Sequence, residues 1–144
     1  MITKEDVLKF LKNNDLCVVA TVNESGKPIA ATMAYAIDDK MVFYLETSNK
    51  ARKYKNLLVN PRAAIVVGIA NNLPTVQIDG KVTVLKGEDA INARNFIVGQ
   101  HPEWEGYYLG PDKNPEEVYF TVKSTRVCYS DFTKEPMVVE VVKN

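Results

Sequence analysis

Four cations fall in one short run, Lys50-Ala-Arg-Lys-Tyr-Lys55, with no acid after Glu46. Ser48 or Asn49 is placed to cap a helix there, and Ala51, Tyr54, Leu57 and Leu58 follow at helical spacing. Lys50, Arg52, Lys53 and Lys55 then crowd the first two turns, where the helix dipole is already positive and carboxylates are normally favoured. One reading of such a run is a solvated basic face. The other is a phosphate site, since a bound anion turns repulsion among cations and free N–H groups into attraction. Asn60-Pro61 stops the helix.

Other reactive side chains are sparse. His101 is the one histidine and sits in an aromatic-rich stretch, His101-Pro-Glu-Trp-Glu-Gly-Tyr-Tyr-Leu-Gly-Pro111. With no Ser or Cys placed as a nucleophile and no second ligand, it reads as a loop residue. Trp104, Tyr107 and Tyr108 are candidates to border a ligand or a subunit contact. Cys17 and Cys128 lie in apolar stretches and read as buried free thiols. No Cys-x-x-Cys or His cluster suggests a metal, and no Gly-rich phosphate loop or Rossmann fingerprint suggests a dinucleotide fold.

These residues need a frame, and the frame is mostly β. The chain has 144 residues, 46% hydrophobic and 25% charged, which suits one soluble domain over residues 1–144. Its formal net charge is zero, which argues against a nucleic-acid or membrane-surface partner. Met1–Asp6 is too polar for a signal peptide, and no apolar run has the length of a membrane span, so a cytoplasmic protein is expected. Thr3-Lys-Glu-Asp6 predicts a capped helix with Val7, Leu8, Phe10 and Leu11 on one face, set across a barrel mouth. Strands are expected at Leu16–Val22, Ile29–Ile37, Met41–Thr47, Ala63–Ile69, Thr75–Leu85 and Glu117–Phe132, with a short tail at Met137–Val142. Ala63–Ile69 reads as buried on both faces, and 70–74 as a loop. Gly80 marks a bulge or bend, Lys123–Thr125 a second bend, and Glu88–Val98 a further helix. The small residues of Ala30–Ala34 fit either close sheet packing or the approach of a flat ligand to the backbone.

Taken in order, Gly26–Tyr35, Met41–Arg62, Asn60–Val67 and Val76–Val84 resemble the pyridoxamine 5′-phosphate oxidase-like, FMN-binding split-barrel family. The resemblance runs from about Leu16 to Val84. The family's Ser-Arg-Lys-like phosphate step ahead of Asn-Pro-Arg falls on Ala51-Arg52-Lys53, with the Arg and Lys present and the Ser replaced. It implies an antiparallel six-stranded split β-barrel of Greek-key type with peripheral helices. It also implies a homodimer with FMN in clefts at the subunit interface. Arg52 and Lys53 would clamp the phosphate, with Lys50 assisting. Thr32, Met33 and the Leu45–Thr47 strand end, Thr47 included, would meet the isoalloxazine ring. Gln77 or Thr75 would reach it from the long strand, and Tyr129 would face the partner's flavin. A missing acid–base constellation fits, because a flavin carries hydride chemistry itself.

Departures from the family pattern narrow the activity. The family's oxidases carry an Arg and a Lys on the second strand, where this chain has Ala30, Ala31 and Tyr35. They also end with an Arg-Leu-His element that holds vitamin B6 substrates, and Val127–Pro136 has nothing like it. Oxidation of vitamin B6 phosphates is therefore not expected. An FMN-dependent oxidoreductase acting on a small substrate, with a reduced nicotinamide as one candidate donor, is expected instead. The alternative is a passive FMN carrier or store. A deazaflavin or haem in the same barrel is a third option, haem being weakened by the lone His101.

Overall fold

The computed structural model describes residues 1–68 and 74–142. Ile69 and most of the loop expected at 70–74 lie outside them. Thr3 and Asp6 form the reciprocal capping box: Asp6 N–H donates to Thr3 Oγ1 at 3.1 Å, and Thr3 N–H donates to Asp6 Oδ2 at 2.9 Å. Helix α1 (Lys4–Lys12) follows and buries Val7 and Leu11 completely in the core.

Strands β1 (Leu16–Val22) and β2 (Pro28–Ala34) form the first hairpin. The single long strand expected at Ile29–Ile37 is broken at Tyr35, where the chain leaves β1 and enters β3 (Ala36–Ile37). Tyr35 anchors that crossing: its ring is buried against Phe43 and its hydroxyl donates to Leu11 O at 2.5 Å. β3 pairs with β4 (Val42–Ser48), and helix α2 (Arg52–Val59) leads into β5 (Arg62–Val67) and β6 (Thr75–Val84). Helix α3 (Glu88–Gln100) runs past its expected end, and the Gln100 amide explains why. It bonds both Ile37 N–H and Ile37 O at 2.9 Å, fixing the helix to β3. β7 (Glu117–Asp131) and β8 (Val138–Val142) complete one antiparallel sheet in the order β2-β1-β5-β6-β7-β4-β3, with β8 on β7.

The sheet is the expected split barrel, with eight strands rather than six because the second strand divides and the tail pairs. Phe43, Leu45, Ile65, Ile78, Val122 and Val127 fill its interior, each side chain contributing about 1.5–3 kcal/mol by burial. The bend at Gly80 is present: β6–β7 register shifts between Asp79 and Gly80. A Cβ at Gly80 would come within 2.3 Å of Val122 Cγ1, so glycine is what permits the closure. β5 alternates instead of being buried on both faces. Ala63, Ile65 and Val67 point inward while Ala64 is exposed and Val66 half-buried. Both cysteines are free and buried, and burial pushes the Cys17 thiol up to about 12. Among the described residues no helix is long and apolar enough to cross a membrane, and no His, Cys, Asp and Glu converge as a metal site.

Candidate functional site

The barrel is open along one seam. β2 has only β1 beside it, and β4 beyond Tyr44 has only β7, so the strand edges at Thr32–Ala34 and Leu45–Ser48 face each other unpaired. Ala34 and Glu46 line one cavity, which shows how close the two edges come. Edge strands of this kind leave backbone donors and acceptors open to a ligand.

Helix α2 begins at the end of this seam. Its cap is Ala51, without a side-chain bond, rather than Ser48 or Asn49. Ser48 is the last residue of β4, and its hydroxyl is used by Lys50 N–H at 3.1 Å. The helix start is therefore bare and carries no acid in its first turn. Lys53 Nζ donates to Thr47 Oγ1 at 3.4 Å, a weak contact to a neutral group. Among the described residues, the Arg52 side chain has neither a hydrogen bond nor an ion pair. Lys50 is different: it pairs with Glu116 at 2.7 Å, which holds its pKa up. The expected amphipathic face is also shifted. Leu57 and Asn56 are buried, Asn56 Nδ2 donating to Thr21 Oγ1 at 3.1 Å, while Leu58 is 57% exposed. That Asn56 anchor turns the helix so that Lys53 sits over Thr47.

The structure thus brings Arg52, Lys53 and Thr47 together, with Thr32 and Met33 on the facing edge. Met33 points into the core, so only its backbone is available. Thr32 and Gln77 share one outward row, Thr32–Val18–Val66–Gln77–Cys128, but three strand spacings, about 14 Å, part them. Thr75 sits elsewhere. Its hydroxyl donates to Val67 O at 3.2 Å. About 23 Å of strand separates it from Val82, whose N–H reaches Pro61 O at the foot of α2. Tyr129 is a correction. Register sets it opposite Val76 on the inner face, so its ring lies in the core with its hydroxyl 3.4 Å from Asp131, and it does not face outward.

Beyond Glu46 the seam widens into a cavity of about 510 Å3. Leu16 and Ala34 form one bank, Glu46 the other, and Trp104, Tyr107 and Tyr108 the roof, with Asp15 at the rim. The aromatic stretch is therefore a built wall. Arg94 Nε donates to Tyr108 O at 2.8 Å, and its Nη2 pairs with Glu105 at 2.9 Å. Glu117 accepts from Leu109 N–H and Gly110 N–H at 3.1 Å and from Tyr119 hydroxyl at 2.5 Å. His101 stacks on Trp104 at 3.9 Å, behind the wall.

The model for pyridoxamine 5′-phosphate oxidase matches residues 3–128. The chain belongs to that family. Solved structures agree on the fold. An FMN-binding, pyridoxamine 5′-phosphate oxidase-related protein from Nostoc punctiforme is 16% identical with a TM-score of 0.66, over 90% of this chain and 87% of that one. A FAD-binding protein from Mesorhizobium loti is 18% identical with a TM-score of 0.69, over 88% and 92%. A haem-binding protein from Mycobacterium smegmatis is 17% identical with a TM-score of 0.77, over 97% of this chain and 58% of that one. At such identities the likeness carries the architecture and leaves the ligand to be argued from this chain's side chains.

Glu46 lies within the Leu45–Thr47 strand end expected at the ring, yet no motif singles out its carboxylate. Burial first, then the nearby Glu117, push its carboxyl up to about 7, with Lys53 opposing. The signal was present: an acid at the outward parity of an otherwise apolar strand, on the side that α3 and the aromatic loop cover.

Proposed function

We propose that this chain binds FMN along the β2–β4 seam of a homodimer and passes hydride or electrons through it to or from a small substrate. One observation supports the phosphate end above all others: Arg52 and Lys53 stand at an uncapped helix start with no carboxylate partner. A phosphate would satisfy both cations and the open N–H groups at once. Thr47 orients the Lys53 amine, and the backbone edges of β2 and of Leu45–Thr47 offer a flat ligand hydrogen bonds. Lys50, held by Glu116, has at most a peripheral part. FMN supplies the redox chemistry when bound; the chain's own work is to grip, orient and exclude water.

The dimer gives a place to residues that a single chain leaves idle. Ala20, Ala30 and Ala64 form an outward row of small side chains beside the Thr32–Gln77 row. A second copy packed there would bring Gln77 to a flavin across the interface. Haem is disfavoured, because His101 Nε2 is buried under protein rather than offered to the seam. Without an Arg-Leu-His element, FMN-loaded protein should yield no pyridoxal phosphate from pyridoxamine phosphate.

The decisive experiment titrates FMN and riboflavin into wild type, Arg52→Ala and Lys53→Ala, following quenching of flavin fluorescence. FMN should bind wild type tightly and each variant roughly tenfold to a hundredfold more weakly, from about 1.5–3 kcal/mol per charge-assisted contact. Riboflavin should bind poorly and ignore both changes. Equal FMN affinity in all three would remove the phosphate site. Adding NADH or NADPH to loaded protein then separates an enzyme, whose yellow colour bleaches at a useful rate, from a passive carrier.

A further inference from the structure

We propose that the cavity walled by Trp104, Tyr107 and Tyr108 and closed by Glu46 and Asp15 is a binding site for a planar aromatic cation, such as a ring bearing a quaternary or protonated nitrogen. The inference takes the flavin reading as the reason such a molecule would be a substrate, but the binding site itself stands on this chain's side chains.

The cavity, about 510 Å3, has room for a one- or two-ring molecule. Trp104, Tyr108 and Glu46 line it half-buried, Tyr107 and Asp15 border it from exposed positions, and no lysine, arginine or histidine lines it. Aromatic faces attract cations through the ring quadrupole, the more so where water is excluded. Trp104 is fixed in place, stacked on His101 at 3.9 Å and edge-on to Tyr108 at 6.1 Å, so little ordering is needed when a ring docks.

Glu46 adds the sign. Its carboxylate has no hydrogen bond and no ion pair among the described residues, although it is half-buried. A half-buried carboxylate with no protein donor, its oxygens still in reach of water, is stabilised by a cation brought beside it. Its partial burial and the nearby Glu117 raise its pKa to about 7, with Lys53 opposing. The groups facing it are Lys53 from α2, Glu117 and Tyr119 from β7, and Tyr108 from the aromatic loop. Of these only Lys53 is cationic, and its amine is turned to the neighbouring Thr47 hydroxyl rather than to the Glu46 carboxylate.

The test uses the full chain, with and without FMN, and three probes of one shape: 1-methylpyridinium, neutral toluene and anionic benzoate. Trp104 is the chain's one tryptophan, so its fluorescence reports this cavity directly, with titration calorimetry as a second readout. The cation should give a saturable change, and toluene and benzoate none. Its affinity should rise about tenfold between about pH 6 and pH 8 as Glu46 ionises. Glu46→Gln, which removes a poorly solvated charge and should fold at least as well, should abolish that rise and weaken binding at the higher pH. Linear, non-saturating quenching, equal binding of all three probes, or an unaltered pH profile in Glu46→Gln would overturn the proposal. FMN binding without saturable cation binding sinks this inference alone. Cation binding without FMN binding sinks the flavin reading alone.

Discussion

Two ends of one seam carry opposite charge, and neither end is balanced by the protein. At the α2 end, Arg52 and Lys53 stand without a carboxylate at a bare helix start. At the aromatic end, Glu46 stands half-buried without a donor. Lys53 and Glu46 feel each other, yet they form no ion pair, because Lys53 leans to Thr47 and Glu46 faces the cavity. Other charges beside the seam are satisfied within the fold: Glu117 takes three donors, and Lys50 takes Glu116. The contrast teaches where to look for ligands. Charges that a protein can pair for itself stabilise the fold, and charges left open beside a cleft await something from outside.

Breaking the basic end should have the largest effect. Arg52→Ala with Lys53→Ala together should weaken FMN binding by a hundredfold or more, since each contact contributes about 1.5–3 kcal/mol. Thermal stability of the ligand-free protein should hold or rise slightly as cations leave the positive helix end. A double variant that binds FMN normally would end the comparison.

Next in size is the satisfied acid. Glu117→Ala strands the Tyr119 hydroxyl and the Gly110 N–H, both in buried residues, and the N–H of the exposed Leu109. Stranded donors cost about 1–3 kcal/mol each where water does not reach them, so a loss of about 2–4 kcal/mol in urea unfolding is expected. Glu117 is thereby separated from Glu46, whose loss should not destabilise. A Glu117→Ala variant as stable as wild type would mean the loop does not depend on that carboxylate.

The fold was largely readable because alternation and turn chemistry are local. Thr3 and Asp6 announced α1, Gly80 announced the bulge, and Asn60-Pro61 ended α2 within a residue. The misses were set by distant parts of the chain. Tyr35 breaks the second strand because its hydroxyl reaches Leu11 and its ring reaches Phe43. Ser48 is no cap because β4 claims it through its pairing with Glu117. Tyr129 faces inward because register with Val76 decides its side. The site was half legible: Arg52, Lys53 and Thr47 are close in sequence. Glu46 and Trp104 are brought to one cavity only by α3, whose Gln100 holds it to β3.

A smaller effect tests the acidic end through pH. The Glu46 carboxyl ionises near 4.5 in an unfolded chain and near 7 in the fold. The native state holds the proton more tightly, so this contribution to stability is complete below about pH 4.5 and is lost as pH rises through about 7. Wild type should therefore lose stability relative to Glu46→Gln across that window, in thermal melts taken at matched ionic strength. Parallel curves for the two proteins would show that Glu46 is not desolvated.

Lys50→Ala should do least, and it sharpens the comparison for that reason. Lys50 shares the basic run with Arg52 and Lys53, and a count of charges treats the three alike. The structure does not, because Lys50 is already spent on Glu116 at the surface, with three quarters of its side chain exposed. Exposed pairs contribute little and are screened by salt. FMN affinity should change by no more than about twofold, against tenfold to a hundredfold for Arg52→Ala. Glu116→Ala supplies the converse: a freed Lys50 could swing toward a phosphate, and FMN should then bind as well as before or slightly better. If Lys50→Ala weakened FMN as much as Arg52→Ala does, the whole run would be acting as a diffuse positive field. The distinction between paired and open charges would then fail at this end of the seam.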